Sequence, residues 1–131
     1  MLIKSIKLIE SIIPLQKICS RDDHFCKQTS FDLAKNIKIF HEEGKIYFAE
    51  KKKLQEKYCN KDSKNNIITD ESGNMTFEKE TLDALNIDFA QLNSVDIDVN
   101  IKKIRLSKLP VGVAPIDIAA IDFMLIEDLT E

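Results

Sequence analysis

Residues 30–59 read SFDLAKNIKIFHEEGKIYFAEKKKLQEKYC, and this stretch decides the fold. Leu33, Ile37, Phe40, Gly44, Tyr47, Leu54 and Tyr58 recur at helical spacing and mark one face. Lys38, Glu42, Lys45, Glu50, Lys53 and Lys57 occupy the other. Glu42 with Lys45 and Glu50 with Lys53 lie one turn apart, where opposite charges support a helix. Thr29 and Ser30 are the candidate N-caps. The spacing predicts a long central helix over about residues 30–59. Such a helix is about 45 Å long, whereas a compact domain of this size is roughly 26 Å across. Either the helix breaks near Gly44, or part of it projects and needs a partner for its apolar stripe.

Upstream, Leu2, Ile6, Ile9 and Ile13 continue the helical period over residues 2–19. Pro14 predicts a kink or a split, with Ser11 capping the second piece. Residues 1–27 thus read as an N-terminal helical segment. Lys4, Lys7 and Glu10 interrupt its apolar run, which argues against a secretory leader. Downstream, Ile67–Thr69 and Met75–Phe77 flank Asp-Glu-Ser-Gly-Asn and predict a small β-hairpin over 67–77. Residues 78–93 read as a short helix carrying Leu82, Leu85, Phe89 and Leu92. Val95, Ile97, Val99 and Ile101 alternate with polar residues and predict a strand over 95–106. Its phase slips at Lys102-Lys103, the mark of a bulge or break. Pro115 fits the first turn of a short C-terminal helix. No internal repeat is evident. The class is α+β, mostly helical, in a single domain over 1–131.

Composition narrows the function. The chain is 44% apolar and 31% charged, which is globular rather than disordered. Three Gly and three Pro in 131 residues are too few for a many-turned barrel. A net charge of −3 gives no bulk drive towards nucleic acid. The charge is uneven, with 14 bases against 9 acids over residues 1–64 and 5 acids without a base over 109–131. No apolar run is long enough to span a bilayer. Cys19, Cys26 and Cys59 make an odd count, which favours reduced thiols in a cytoplasm.

No catalytic constellation emerges, so the expectation is a protein that is not an enzyme and carries no cofactor. Cys19, His24, Cys26 and Cys59 lack the paired spacing of a structural zinc site, and no metal is expected. Residues 60–71 mimic a calcium loop at Asn60, Asp62 and Glu71, but Lys64 stands at a ligand position and Asn65 replaces the turn glycine. Lys51, Lys52, Lys53 and Lys57, interleaved with Tyr47 and Tyr58, form the best cationic patch. Lys102, Lys103 and Arg105 form a second. Either could hold phosphates.

The run FDLAKNIKIFHEEGKIYFAEKKKLQEKYCNKD, then IITDESGNMTFE, VDIDVNIKKIRLSKL and APIDIAAIDFML, resembles a family of small uncharacterised proteins. They are encoded by phages and prophages of low-GC Gram-positive bacteria. The resemblance spans roughly residues 28–126 and implies a phage context but no activity. Three functions fit. The first is a non-enzymatic accessory protein that binds and inhibits a host factor, such as a defence protein, in the host cytoplasm. The second is a virion, tail or assembly component, or its chaperone. The third is an oligomer that sequesters a nucleotide signal. The expected partner is a protein, with self-association as a way to bury the helix stripe.

Overall fold

The computed structural model describes residues 1–21 and 25–127. The chain runs β1 (Leu2–Lys4), α1 (Ser5–Cys19), α2 (Lys27–Tyr58), α3 (Lys79–Asn93), β2 (Asp96–Asp98), β3 (Ile104–Arg105), α4 (Pro115–Ala120) and β4 (Leu125–Ile126). Short 3₁₀ turns follow β3 at Leu106–Lys108 and α4 at Asp122–Met124. The fold is α+β and mostly helical around one long helix. Length alone predicts one domain, and contacts group the chain into two compact units. One is Met1–Gly44 with Asp96–Glu131, and the other is Lys45–Val95. Helix α2 runs from the first into the second.

This arrangement corrects the reading of the long helix. It does not break at Gly44, and its stripe is covered by the chain itself. Leu33 and Phe40 are buried, as is Tyr47, while Leu54 and Tyr58 are half-buried. At Gly44 an added Cβ would lie 3.2 Å from Ile12 Cδ1, so the glycine admits α1 close to α2. The N-cap prediction also shifts by one turn. Thr29 and Ser30 lie inside α2, and the Cys26 carbonyl accepts the Ser30 N–H at 2.9 Å.

In the first unit, Leu8, Leu15, Ile18, Phe40, Ile121 and Met124 form the centre of the core. Helix α1 is continuous through Pro14, contrary to the expected split. Ser11 does not cap a second piece. It is buried, and its hydroxyl donates to the Leu8 carbonyl at 2.6 Å. Residues 2–4, predicted as helix, are a strand. Ile3 is buried opposite Ile97 in antiparallel β1–β2 register, and Lys4 meets Asp96 at 2.8 Å. The predicted 95–106 strand is two strands. β2 pairs with β1, and β3 pairs in parallel with β4.

The break between them falls at the predicted phase slip, and Asn36 accounts for it. This fully buried side chain accepts the Lys102 N–H at 2.8 Å and donates to the Lys102 carbonyl at 2.9 Å. One carboxamide takes the place of a neighbouring strand and satisfies both backbone groups of Lys102.

In the second unit, α3 lies against the end of α2. Leu85 is buried, and the Tyr58 hydroxyl donates to Asp88 at 2.6 Å. Between these helices the predicted hairpin takes a reduced form: two copies of one turn, each closed by an isolated bridge. Lys61 bridges Ile67 and Thr69 bridges Met75. In the first copy the Asp62 carboxylate accepts the Lys64 and Asn66 N–H groups, both at 2.9 Å. These bonds, that from Asn66 foremost, hold its carboxyl below the usual range. In the second copy Asp70 accepts from Ser72 at 2.9 Å and Asn74 at 3.0 Å. The fourth residue of each turn has positive φ, +64° at Asn65 and +82° at Gly73. Asn60, Ile68 and Thr76 then bond in a cycle, through Asn60 N–H to Thr76, Ile68 N–H to Asn60 and Thr76 N–H to Ile68. The sequence therefore holds an eight-residue repeat where none was expected.

Two stability predictions follow from these contacts. Asn36→Ala strands both backbone groups of Lys102 and should cost about 2–4 kcal/mol in urea denaturation. A loss below about 1 kcal/mol would remove the clamp from the account of the fold. Gly73→Ala has open space for its Cβ but keeps a left-handed φ, so it should cost about 1–2 kcal/mol. Asn65→Gly should be neutral within about 0.5 kcal/mol. Equal losses at the two positions would contradict the shared geometry of the turns.

Candidate functional site

The predicted patch on α2 lies in the second unit, and its members are engaged there. The Tyr47 hydroxyl donates to Asn93 at 2.5 Å, and Tyr58 is held by Asp88, which raises the phenol's pKa. Lys51 stands over Phe89 at 5.4 Å from the ring centre and Lys57 over Tyr58 at 5.1 Å. Lys53 pairs with Glu50 at 3.1 Å and Lys52 with Glu56 at 3.9 Å. These are exposed pairs worth about 0.3–0.5 kcal/mol each. The two tyrosines serve the α2–α3 junction, and Phe48 is the exposed aromatic beside them.

The second predicted patch lies in the first unit. There the Asn36 clamp holds the segment from Asn100 to Lys108 beside the first half of α2. Two cavities open between these segments. One, of about 310 Å³, is lined by Lys35, Lys38, Ile39, Glu42, Asn100 and Lys102. The other, of about 220 Å³, is lined by Lys103, Ile104, Arg105 and Lys108 across from Cys26, Gln28, Thr29 and Asp32. Lys102 thus faces one cavity while Lys103 and Arg105 face the other. Each cavity has three bases against one acid. Asp32 accepts a hydrogen bond from Gln28 at 3.0 Å, and Lys103 donates to the Phe123 carbonyl. The result is a cationic strip of six bases and two acids along the start of α2.

Sequence reasoning found three members of this strip and missed Lys35, Lys38 and Lys108. The signal was present in two places. Lys35 and Lys38 stand one turn apart, and Lys108 extends the basic run Lys102-Lys103-x-Arg105. What was not legible is that Asn36 would bring the two runs together.

The thiols differ sharply. Cys26 is exposed, with Sγ 3.0 Å from the Thr29 hydroxyl. Hydrogen bonds from that hydroxyl and from the Thr29 N–H lower its pKa, and Lys108 adds to the effect. Burial pushes Cys19 up to about 11. Cys59 is buried, and its thiol donates to the Glu56 carbonyl at 3.4 Å. His24 lies outside the described residues. Among the described residues no cluster of three or more His, Cys, Asp or Glu could hold a metal ion, and no helix is long and apolar enough to cross a membrane.

No protein-family model, curated protein or solved structure matches the chain.

A lowered thiol is ionised at lower pH, and the thiolate is the reactive form. Cys26 should be alkylated first by iodoacetamide, with its half-maximal rate at a pH below that of an ordinary thiol. Thr29→Val should move that midpoint upward. Peptide mapping that finds Cys19 modified first would contradict this order.

Proposed function

We propose that this is a non-enzymatic accessory protein that acts by holding a partner protein through the cationic strip. The observation that supports the reading is the convergence of Lys35, Lys38, Lys102, Lys103, Arg105 and Lys108 between α2 and a clamped segment. Paired cavities with an excess of bases suit an acidic segment of a partner, steer its approach and disfavour basic competitors. A nucleic acid would also meet the charge, but among the described residues no aromatic side chain lines either cavity to stack its bases. The resemblance of residues 28–126 to small phage proteins adds a setting. The partner would be a host factor, such as a defence protein, met in the cytoplasm of a low-GC Gram-positive cell.

The test is affinity capture from such a host with quantitative mass spectrometry. The wild-type chain should enrich an acidic protein, and its recovery should fall steeply as salt rises through about 0.1 M and beyond. The variant Lys38→Glu with Lys102→Glu and Lys108→Glu should lose that protein by at least about tenfold while keeping its circular dichroism. The same partner recovered equally by both proteins would reject the strip as the contact site. Recovery of the bait alone would reject the reading.

A further inference from the structure

The second unit holds a cavity of different character. It is about 410 Å³ and is lined by Gln55 of α2 and by Gly73, Asn74, Met75 and Phe77 of the second turn and its exit. Among the described residues that line it, none is charged. Its volume falls within the roughly 300–1,000 Å³ range of small-ligand clefts.

The side chains divide by chemistry. Met75 and Phe77 are half-buried and supply a thioether and an aromatic face. Gln55 and Asn74 supply two carboxamides. Within the described residues neither carboxamide is engaged: the bonds at Asn74 use its backbone N–H and carbonyl. Gly73 leaves room on the turn side, since a Cβ there would meet nothing within 4 Å. Each free carboxamide presents a donor and an acceptor side by side. A nucleobase presents the complementary pair along its edge, and Asn and Gln are suited to meet it with two hydrogen bonds. Its flat face suits an aromatic ring, and stacking is worth about 1–3 kcal/mol per base. A simple anion would find no cation among the lining residues, and an aliphatic ligand would leave both carboxamides unpaired.

We propose that this cavity is a binding site for a nucleobase, read along its hydrogen-bonding edge by Gln55 and Asn74 and stacked on Phe77. The ligand can be a nucleoside or a nucleotide. Lys51 and Lys52 stand one turn before Gln55 on α2, and a phosphate attached to the base's sugar would have to draw them from Phe89 and Glu56. The inference does not depend on the cationic strip.

The experiment is an NMR titration of the full ¹⁵N-labelled chain with the four common ribonucleosides, their 5′-monophosphates and ribose 5-phosphate. At least one nucleoside should shift the side-chain NH₂ signals of Gln55 and Asn74 and the amide of Gly73, with saturation. Gln55→Ala keeps a good helix former in α2, and Asn74→Ala keeps the turn's backbone bonds. Each should weaken binding by about five- to tenfold without changing the remaining spectrum. Phe77→Leu should weaken it by a similar factor. A monophosphate that binds more tightly than its nucleoside places the phosphate on the lysines, and equal affinity places recognition on the base alone. Both results support the site. Three results overturn it: no saturable shift with any nucleoside or nucleotide, shifts that persist unchanged in the double alanine variant, or the same shifts from ribose 5-phosphate. The Lys38→Glu, Lys102→Glu, Lys108→Glu variant should bind the base normally, so failure here is distinguishable from failure of the protein-binding reading.

Discussion

The first unit depends on one carboxamide. Past Val99, whose N–H and carbonyl both bond Met1, residues 100–103 lie in no strand among the described residues, yet Val99 and Ile101 are both buried. Burying them carries the Lys102 backbone out of water, and an unpaired buried N–H or carbonyl costs about 1–3 kcal/mol. Asn36 meets both groups at once. The registration has a further effect. It places Lys102 at one cavity and Lys103, Ile104 and Arg105 at the other. The core and the cationic strip are thus two results of a single pair of hydrogen bonds.

Much of this was legible in the sequence, and the reasons for success and failure are physical. The long helix was legible because its apolar stripe keeps helical period from Leu33 to Tyr58. The break at Lys102-Lys103 was legible because strict alternation failed there. The helix start at Pro115 was legible because proline has no N–H to lose in a first turn. Residues 2–4 were misread because Leu2 and Ile3 fit the helical stripe as well as they fit a strand. Only their long-range pairing with residues 96–98 decides between the two. The continuity of α1 through Pro14 likewise depends on tertiary packing, since Leu15 and Ile18 beyond the proline are both fully or nearly buried.

The candidate sites were harder to read. Asn36 lies among the apolar positions of α2, between Leu33 and Phe40, and a polar residue there was the one available sign of a buried clamp. The basic runs were visible separately, but their meeting is a matter of sequence separation: Asn36 and Lys102 are 66 residues apart. The lysines near Tyr58 looked like a binding patch because charge and aromatics alternate there. Local pairs with Glu50 and Glu56, and the bonds from the tyrosines to α3, occupy most of that chemistry. Charge patterning tells where cations are, and not which of them are already answered.

The turn repeat in the second unit has a consequence for solubility. Two-stranded pairings present rows of unpaired donors and acceptors along their outer sides, and such edges invite a second chain to add itself. Here Asn60, Ile68 and Thr76 each give one backbone hydrogen bond to another of the three and receive one in return. The cycle closes on itself. A mostly polar segment that carries Ile67, Ile68 and Met75 thereby closes its backbone bonds without offering those N–H groups as a template for aggregation.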